Sequence, residues 1–301
     1  MARVLITGGA GFIGNHLANR LILDGHSVIV YDNLSRGNSL FATKQQDHIE
    51  FVLGDLRDYT RLYNTVAKSE VIYHLGAQAN VVGAINDPDY CVTTNVMGTY
   101  NLLKASKEIG VKRIVFTSSR EVYGEVKQFP VNENTPLKWK NPYGYSKAIG
   151  EQYCYLFNNF YKLPVVILRL ANVFGPGDTG RVIPLFIEKA CSGVPLVVYG
   201  GEQIIDFIWI DQVVEALISA MVCPVTGIPI NIGSGEGISI LDVANLVIGL
   251  VHSSSKIVIE PERNFETQKY IADISRMKKY LSLKPINEFS NRLNQMIHEI
   301  S

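Results

Sequence analysis

Thr7-Gly8-Gly9-Ala10-Gly11-Phe12-Ile13-Gly14 stands between a short apolar run, Val4 to Thr7, and a segment with apolar residues at Ile13, Leu17, Leu21 and Ile22 in helical spacing. Few sequence features restrict a fold more. Glycines at this spacing let the strand-to-helix turn tighten, let the backbone approach an anion and let the helix pack on the strand, while the free N–H groups of the helix start face that anion. Gly8, Gly11, Phe12, Ile13 and Gly14 are therefore candidates for holding the pyrophosphate of a dinucleotide. Asp32 closes the second apolar run, Ser27 to Tyr31, 18 residues after Gly14. That spacing suits a carboxylate bonding ribose hydroxyls, and it favours NAD over NADP, with Asn33 beside it in the same site. Arg36 is the dissenting residue, since a nearby arginine suits a 2′-phosphate.

Through about residue 170, short runs rich in β-branched residues alternate with longer segments of helical period: Phe51 to Leu53, Val71 to Leu75, Ile114 to Thr117 and Val165 to Leu170 continue the series. This alternation predicts βαβ units and a parallel sheet, an α/β Rossmann fold of the doubly wound kind. After Leu170, Gly- and Pro-punctuated loops take over, as in Gly175-Pro176-Gly177 and Gly233-Ser234-Gly235. The division expected is an NAD-binding Rossmann domain over 1–170 and a mainly substrate-binding α/β region over 171–301, some of whose segments can return to the Rossmann sheet.

With 28 basic and 28 acidic residues scattered along the chain, no electrostatic footprint for nucleic acid is visible. Cys91, Cys154, Cys191 and Cys223 are far apart and form no C-x-x-C pair, and His16, His74 and His252 have no second ligand at metal spacing, so no metal site is expected. The N-terminus lacks a leader pattern and no apolar run is long enough to span a bilayer. The reading is a cytoplasmic protein without a membrane partner.

Tyr143 and Lys147 lie four residues apart after Pro142, which suits the first turn of a helix reaching about Tyr161, so both project from one face. A free tyrosine has a pKa of about 10, but a nearby ammonium and a cationic nicotinamide both favour its phenolate. Ser119 ends the fifth strand, where its hydroxyl can share a proton with a substrate oxygen beside Tyr143. Tyr145 points elsewhere and is read as packing.

These motifs, with Asn95-Val96-Met97-Gly98-Thr99, Arg169 to Pro176, Asp206-Phe207 and Ala272-Asp273-Ile274-Ser275, resemble the extended short-chain dehydrogenase/reductase family, specifically its nucleotide-sugar epimerases and dehydratases. The resemblance covers nearly the whole chain. It implies that Asp55 and Leu56 contact the adenine, that Leu75, Ala77, Gln78 and Asn95 belong to the cofactor site, and that Lys147 also holds the nicotinamide ribose. It places Asn172 near the diphosphate of a nucleotide-sugar substrate and Val182 to Phe186 along the nucleotide. The leading reaction is 4-epimerisation, in which Tyr143 takes the proton of the sugar 4-hydroxyl while hydride passes to NAD and then returns to the other face. The alternative is a 4,6-dehydratase, decarboxylase or reductase of the same family using Glu121. The helices of Asn95 to Ile109 and Tyr143 to Tyr161 resemble the pair that forms a four-helix homodimer interface.

Two departures from the family pattern bear on the reaction. Ile205 stands immediately before Asp206-Phe207, where an arginine commonly binds the diphosphate; Arg181 and Arg263 are the candidate replacements, and a phosphate-poor substrate is the other reading. Arg120-Glu121 follows the catalytic serine, where typical 4-epimerases carry small residues and 4,6-dehydratases carry Asp-Glu. Arginine does not donate a proton usefully at neutral pH, which weakens ordinary dehydration. Glu121 keeps decarboxylation and related eliminations open, and an ion pair between Arg120 and Glu121 shaping the pocket wall is the other reading.

Overall fold

The computed structural model describes residues 1–36 and 49–300, the side chain of Ile300 excepted. Its centre is a seven-stranded sheet built from β1 (Arg3–Thr7), β2 (Ser27–Asp32), β3 (Ile49–Leu53), β4 (Val71–His74), β5 (Arg113–Ser119), β6 (Val165–Leu170) and a seventh strand, Pro229–Ile232. In space the order is the seventh strand, then β6, β5, β4, β1, β2 and β3, and every neighbouring pair is parallel. The seventh strand continues the sheet although it lies far along the chain, with Ile230 opposite Leu168 and Ile232 opposite Leu170.

Parallel strands covered on both faces read as unbroken apolar runs, and Val4, Leu5 and Ile6 are all fully buried. Alternate side chains divide between two cores. On one face Leu5, Ile29, Ile72, Ile114 and Ile167 pack with Leu62, Leu102 and Phe157. On the other Val4, Ile6, Val30, Val115 and Leu168 pack with Leu17 and Leu21 of α1 (Phe12–Leu23) and with Val213 and Leu217. The strand order reverses between β1 and β4, so the loops leaving their carboxyl ends diverge and open a crevice, the position where ligands bind in doubly wound sheets.

The helix Pro142–Tyr161 begins as its sequence dictates. Pro142 occupies the first turn, and the Asn141 side chain caps it by accepting from the Gly144 N–H at 2.9 Å. The helix expected to start at Asn95 instead opens with a π-helical turn, Val92–Met97, that runs directly into Gly98–Ile109. Wide turns of this kind insert a residue and re-aim side chains near functional sites.

Beyond residue 170 short strands stand over the crevice. Asn172–Phe174 pairs with Phe207–Trp209, Leu196–Tyr199 pairs with Ile257–Glu260, and Ile204–Ile205 lies between Ile238–Ser239 and Lys269–Tyr270. Asp206 ties this layer together: fully buried, it accepts from the Ser234 N–H and hydroxyl and from the N–H groups of Gly235 and Ala272, all within 2.8–3.0 Å. Burial pushes its pKa up, and these donors oppose that push.

Candidate active site

A cleft of about 1370 Å³ runs from the loop after β1, across the carboxyl ends of β4, β5 and β6, to the layer formed after residue 170. At its floor the glycines fit closely. Gly8 has a φ of +70°, and a Cβ there would stand 2.6 Å from the Gly76 nitrogen; at Gly14 a Cβ would stand 2.4 Å from the Gly8 carbonyl oxygen. Gly11 caps α1 in extended conformation with no side chain across it, so the first N–H groups of the helix open onto the cleft. Backbone donors in a cradle that any side chain would fill suit a pyrophosphate.

Asp32 accepts from the Ala10 N–H at 3.0 Å and the Leu34 N–H at 2.8 Å, which binds the glycine loop to the end of β2. Burial raises its pKa and both bonds lower it. A carboxylate has about four acceptor sites, so two remain for hydroxyls. Asn33 donates to Asp55 at 2.9 Å, while Arg57 grips the same carboxylate through Nε and Nη2 at 2.8 and 2.7 Å and holds it well below the usual carboxylate range. Asp58 caps the next helix by accepting from Arg61 at 3.0 Å. Leu56, Leu75 and Ala77 line the cleft.

Gln78 and Asn95 stand behind that lining. Asn95 accepts from the Gln78 N–H at 2.8 Å and donates to the Gln78 carbonyl at 3.2 Å and the Ser146 hydroxyl at 2.9 Å. It thereby pins the loop after β4 to the helix carrying Tyr143. The π-helical turn around it explains how a residue of that segment reaches sideways to both partners.

Tyr143 meets Ser119 by a hydrogen bond that favours its phenolate, but burial is the larger influence and pushes its pKa up to about 12. Arg181 also favours the phenolate, and Glu121 opposes it. Lys147 is almost wholly buried, donates to the Thr117 carbonyl at 2.8 Å and lies over the Phe116 ring at 5.1 Å. Burial lowers its pKa to about 8. In the free protein, therefore, Tyr143 holds its proton at neutral pH, and a further positive charge is needed to release it.

The wall beside Ser119 is charged. Arg120 Nη2 lies 2.8 Å from Glu121 Oε1, with both side chains nearly buried, and Arg120 Nε donates to Asn172 Oδ1 at 2.6 Å. The second Glu121 oxygen accepts from Asn141 at 2.8 Å. The ion pair between Arg120 and Glu121, one of the two readings of this dipeptide, is present. Asn141 thus serves twice, as the helix cap and as a holder of Glu121; its position directly before Pro142 is the sequence signal that identifies such a cap.

Farther out, Ile205 lies in the floor of the cleft and supplies no charge. Arg181 is 3.6 Å from Asp178, donates to the Val173 carbonyl at 3.3 Å and lies over the Phe12 ring at 5.8 Å, close to the glycine loop. Arg263 stacks on Tyr199 at 3.5 Å and pairs with Glu266 at 3.2 Å. Val182 opens the helix Val182–Cys191 along the same wall. Asp178, buried and pushed up to about 6 by that burial, is a lining residue for which no motif gave a signal.

A family model described as the NAD dependent epimerase/dehydratase family matches residues 4–233. The chain belongs to that family. The NAD-dependent epimerase/dehydratase fold extends over its whole length: the crystal structure of a UDP-glucose 4-epimerase from Thermotoga maritima, with UDP-glucose, superimposes with a TM-score of 0.94 at 31% identity, covering 99% of this chain and 98% of that one. A UDP-glucose 4-epimerase of Mycolicibacterium smegmatis is 34% identical over 94% of this chain and 93% of its own length. UDP-glucuronic acid decarboxylase 1 of Danio rerio is also 34% identical, over 99% of this chain and 72% of its own. Epimerases and decarboxylases are equally similar, so identity alone does not choose a reaction. The cofactor is NAD, consistent with the glycine cradle and with Asp32 at the end of β2. Among the described residues no helix is long and apolar enough to cross a membrane, and no group of three or more His, Cys, Asp and Glu could hold a metal ion.

Proposed function

We propose that this chain is a nucleotide-sugar 4-epimerase. The observation that carries this reading is the state of Glu121: one oxygen is paired with Arg120 and the other accepts from Asn141. Proton abstraction from carbon needs a carboxylate free to approach it. Glu121 is instead built into the wall, and the arginine before it replaces the acid that ordinary dehydration requires. Tyr143, Ser119 and Lys147, the set that oxidation at a hydroxyl needs, face the same cleft.

When bound, NAD supplies the hydride acceptor and later the donor, and its cationic nicotinamide lowers the tyrosine pKa. Gly8, Gly11, Phe12, Ile13 and Gly14 hold the pyrophosphate, Asp32 with Asn33 the adenine ribose, and Asp55, Leu56, Leu75 and Ala77 the adenine and adjoining groups. Gln78 and Asn95 act through the loop they brace. Lys147 orients the nicotinamide ribose and keeps positive charge near Tyr143, which takes the proton of the sugar 4-hydroxyl and gives it back; Ser119 shares that proton. Asn172 and Val182 hold the nucleotide-sugar, with Arg181 and Arg263 supplying charge for a diphosphate in place of Ile205.

The same reading makes the protein a cytoplasmic homodimer joined through the helices Gly98–Ile109 and Pro142–Tyr161. Leu156 and Phe160, with Met97 directly before the first helix, are exposed and supply an apolar face there, and Tyr145, read from the sequence as packing, is exposed as well. The deciding experiment incubates the NAD-loaded protein with UDP-, GDP-, CDP- and dTDP-sugars and follows products by mass and proton NMR. Epimers of unchanged mass are expected; loss of water or carbon dioxide overturns the reading.

A further inference from the structure

The Arg120 guanidinium is bonded on two of its three nitrogens, Nε to Asn172 and Nη2 to Glu121. Nη1 is buried and has no acceptor. A charged donor left without a partner is costly, and Nη1 is the one guanidinium nitrogen still able to donate to a ligand. The side chain also lines the cleft and directly follows Ser119, the residue bonded to Tyr143. A sugar whose 4-hydroxyl sits between Ser119 and Tyr143 therefore brings the neighbouring ring positions to Arg120. In a hexopyranose one of those neighbours carries the C6 group. A hydroxymethyl there is a weak, neutral acceptor, whereas a carboxylate accepts a charge-assisted bond from the one unpaired guanidinium nitrogen.

We propose that the preferred substrates are nucleotide-linked hexuronic acids and that Arg120 recognises the C6 carboxylate through Nη1. The proposal rests on the 4-epimerase reading for the placement of the 4-hydroxyl. Glu121 and Asn172 fix the plane of the guanidinium, and the Tyr270 ring lies 5.9 Å beneath it. The grip has a second consequence. Oxidation at C4 makes the acid a β-keto acid, prone to lose carbon dioxide, and that loss disperses the carboxylate charge. A guanidinium that stabilises the localised charge in the ground state more than in that transition state slows the loss.

The test uses NAD-loaded protein with UDP-glucose and UDP-glucuronic acid, which differ only at C6. The acid is expected to be epimerised with a kcat/KM at least about tenfold higher, and Arg120→Ala to lower its kcat/KM by about 10- to 100-fold more than that of UDP-glucose. Arg120→Lys, which keeps the charge but loses the bonds to Asn172 and Glu121 that fix where the donor points, is expected to fall between. Because Arg120→Ala strands the Glu121 charge, the double variant Arg120→Ala, Glu121→Gln is measured alongside, with folding checked by circular dichroism. Equal or better use of UDP-glucose, equal losses on both sugars, or no turnover of the acid overturns the proposal, and UDP-galactose formed from UDP-glucose would leave the 4-epimerase reading standing. Carbon dioxide released from the acid and suppressed by Arg120→Ala would do the reverse, keeping the acid substrate class and removing epimerisation.

Discussion

Arg169 donates to Glu151 through Nε at 2.9 Å and Nη2 at 2.6 Å, and both side chains are almost wholly buried. Glu151 sits one helical turn beyond Lys147, and its carboxylate also accepts from the hydroxyl of Ser118, the residue before Ser119. One ion pair thus fastens the helix Pro142–Tyr161, β6 and the end of β5. Removing one partner leaves a buried charge unpaired, which costs about 3–5 kcal/mol. Glu151→Ala is expected to lower the unfolding free energy in urea by that amount, and a loss below about 1 kcal/mol would show that the pair does not fasten the helix.

Tyr143→Phe removes the oxygen proposed to exchange the proton and nothing that lines the glycine cradle. Turnover is expected to fall by at least about a thousandfold, within the range set by general base catalysis and positioning, while NAD affinity changes less than about threefold. Isothermal titration with NAD separates the two effects, and retained turnover removes Tyr143 from the reaction.

Lys147 is held by burial at about 8, below its ordinary value of 10.5. Above about pH 8 it loses its charge, and under the proposed role of that charge beside Tyr143, activity limited by the proton transfer is expected to decline on the alkaline side. Folding follows the opposite sign. Between about 8 and 10.5 the unfolded chain binds more protons at this site than the native one, so this residue makes stability rise with pH. Lys147→Met is expected to abolish the alkaline rise seen in denaturant titrations at pH 8 and pH 10; an unchanged rise assigns it to another group.

Gly14→Ala places a Cβ 2.4 Å from the Gly8 carbonyl oxygen, in contact with backbone rather than with a flexible side chain. The turn must open to accommodate it, which displaces the donors of the helix start. NAD affinity is expected to drop at least about tenfold, corresponding to roughly 1.4 kcal/mol. Affinity equal to that of the unaltered protein would mean that the cofactor does not use this cradle.

Glu121→Gln keeps the shape of the wall and removes the ability to take a proton from carbon. Under the epimerase reading, turnover stays within about tenfold, because the amide still bonds Arg120 or Asn141 but not both with full charge assistance. Complete loss of activity with retained folding and NAD binding would indicate chemistry at Glu121 and favour elimination or decarboxylation.

Much of the frame was legible in the chain because its signals are local. The Val165–Leu170 run is the strand β6 with the expected bounds, since an unbroken apolar run between loop residues suits a buried parallel strand. The Gly8 to Gly14 turn and the Tyr143–Lys147 face depend on neighbours within one or two turns of chain, so spacing alone brought them together.

What tertiary structure decided involves partners far apart in sequence. No spacing rule shows that Pro229–Ile232 returns to lie beside β6, because pairing of parallel strands is set by packing of both sheet faces rather than by the connecting chain. The family resemblance grouped Gln78 and Asn95 with the cofactor site, yet they bond each other and Ser146 behind the lining, a position produced by the π-helical turn. Comparison with the family pattern marked Ile205 and the Arg120-Glu121 pair as departures and left two roles open for Glu121. The proposed choice rests on Asn141 and Asn172, which meet that pair only when the helix carrying Tyr143 and the strand after β6 are folded against β5. Side-chain identity was enough to name the chemistry available; the low-dielectric wall that holds a carboxylate in an ion pair exists only in the folded chain.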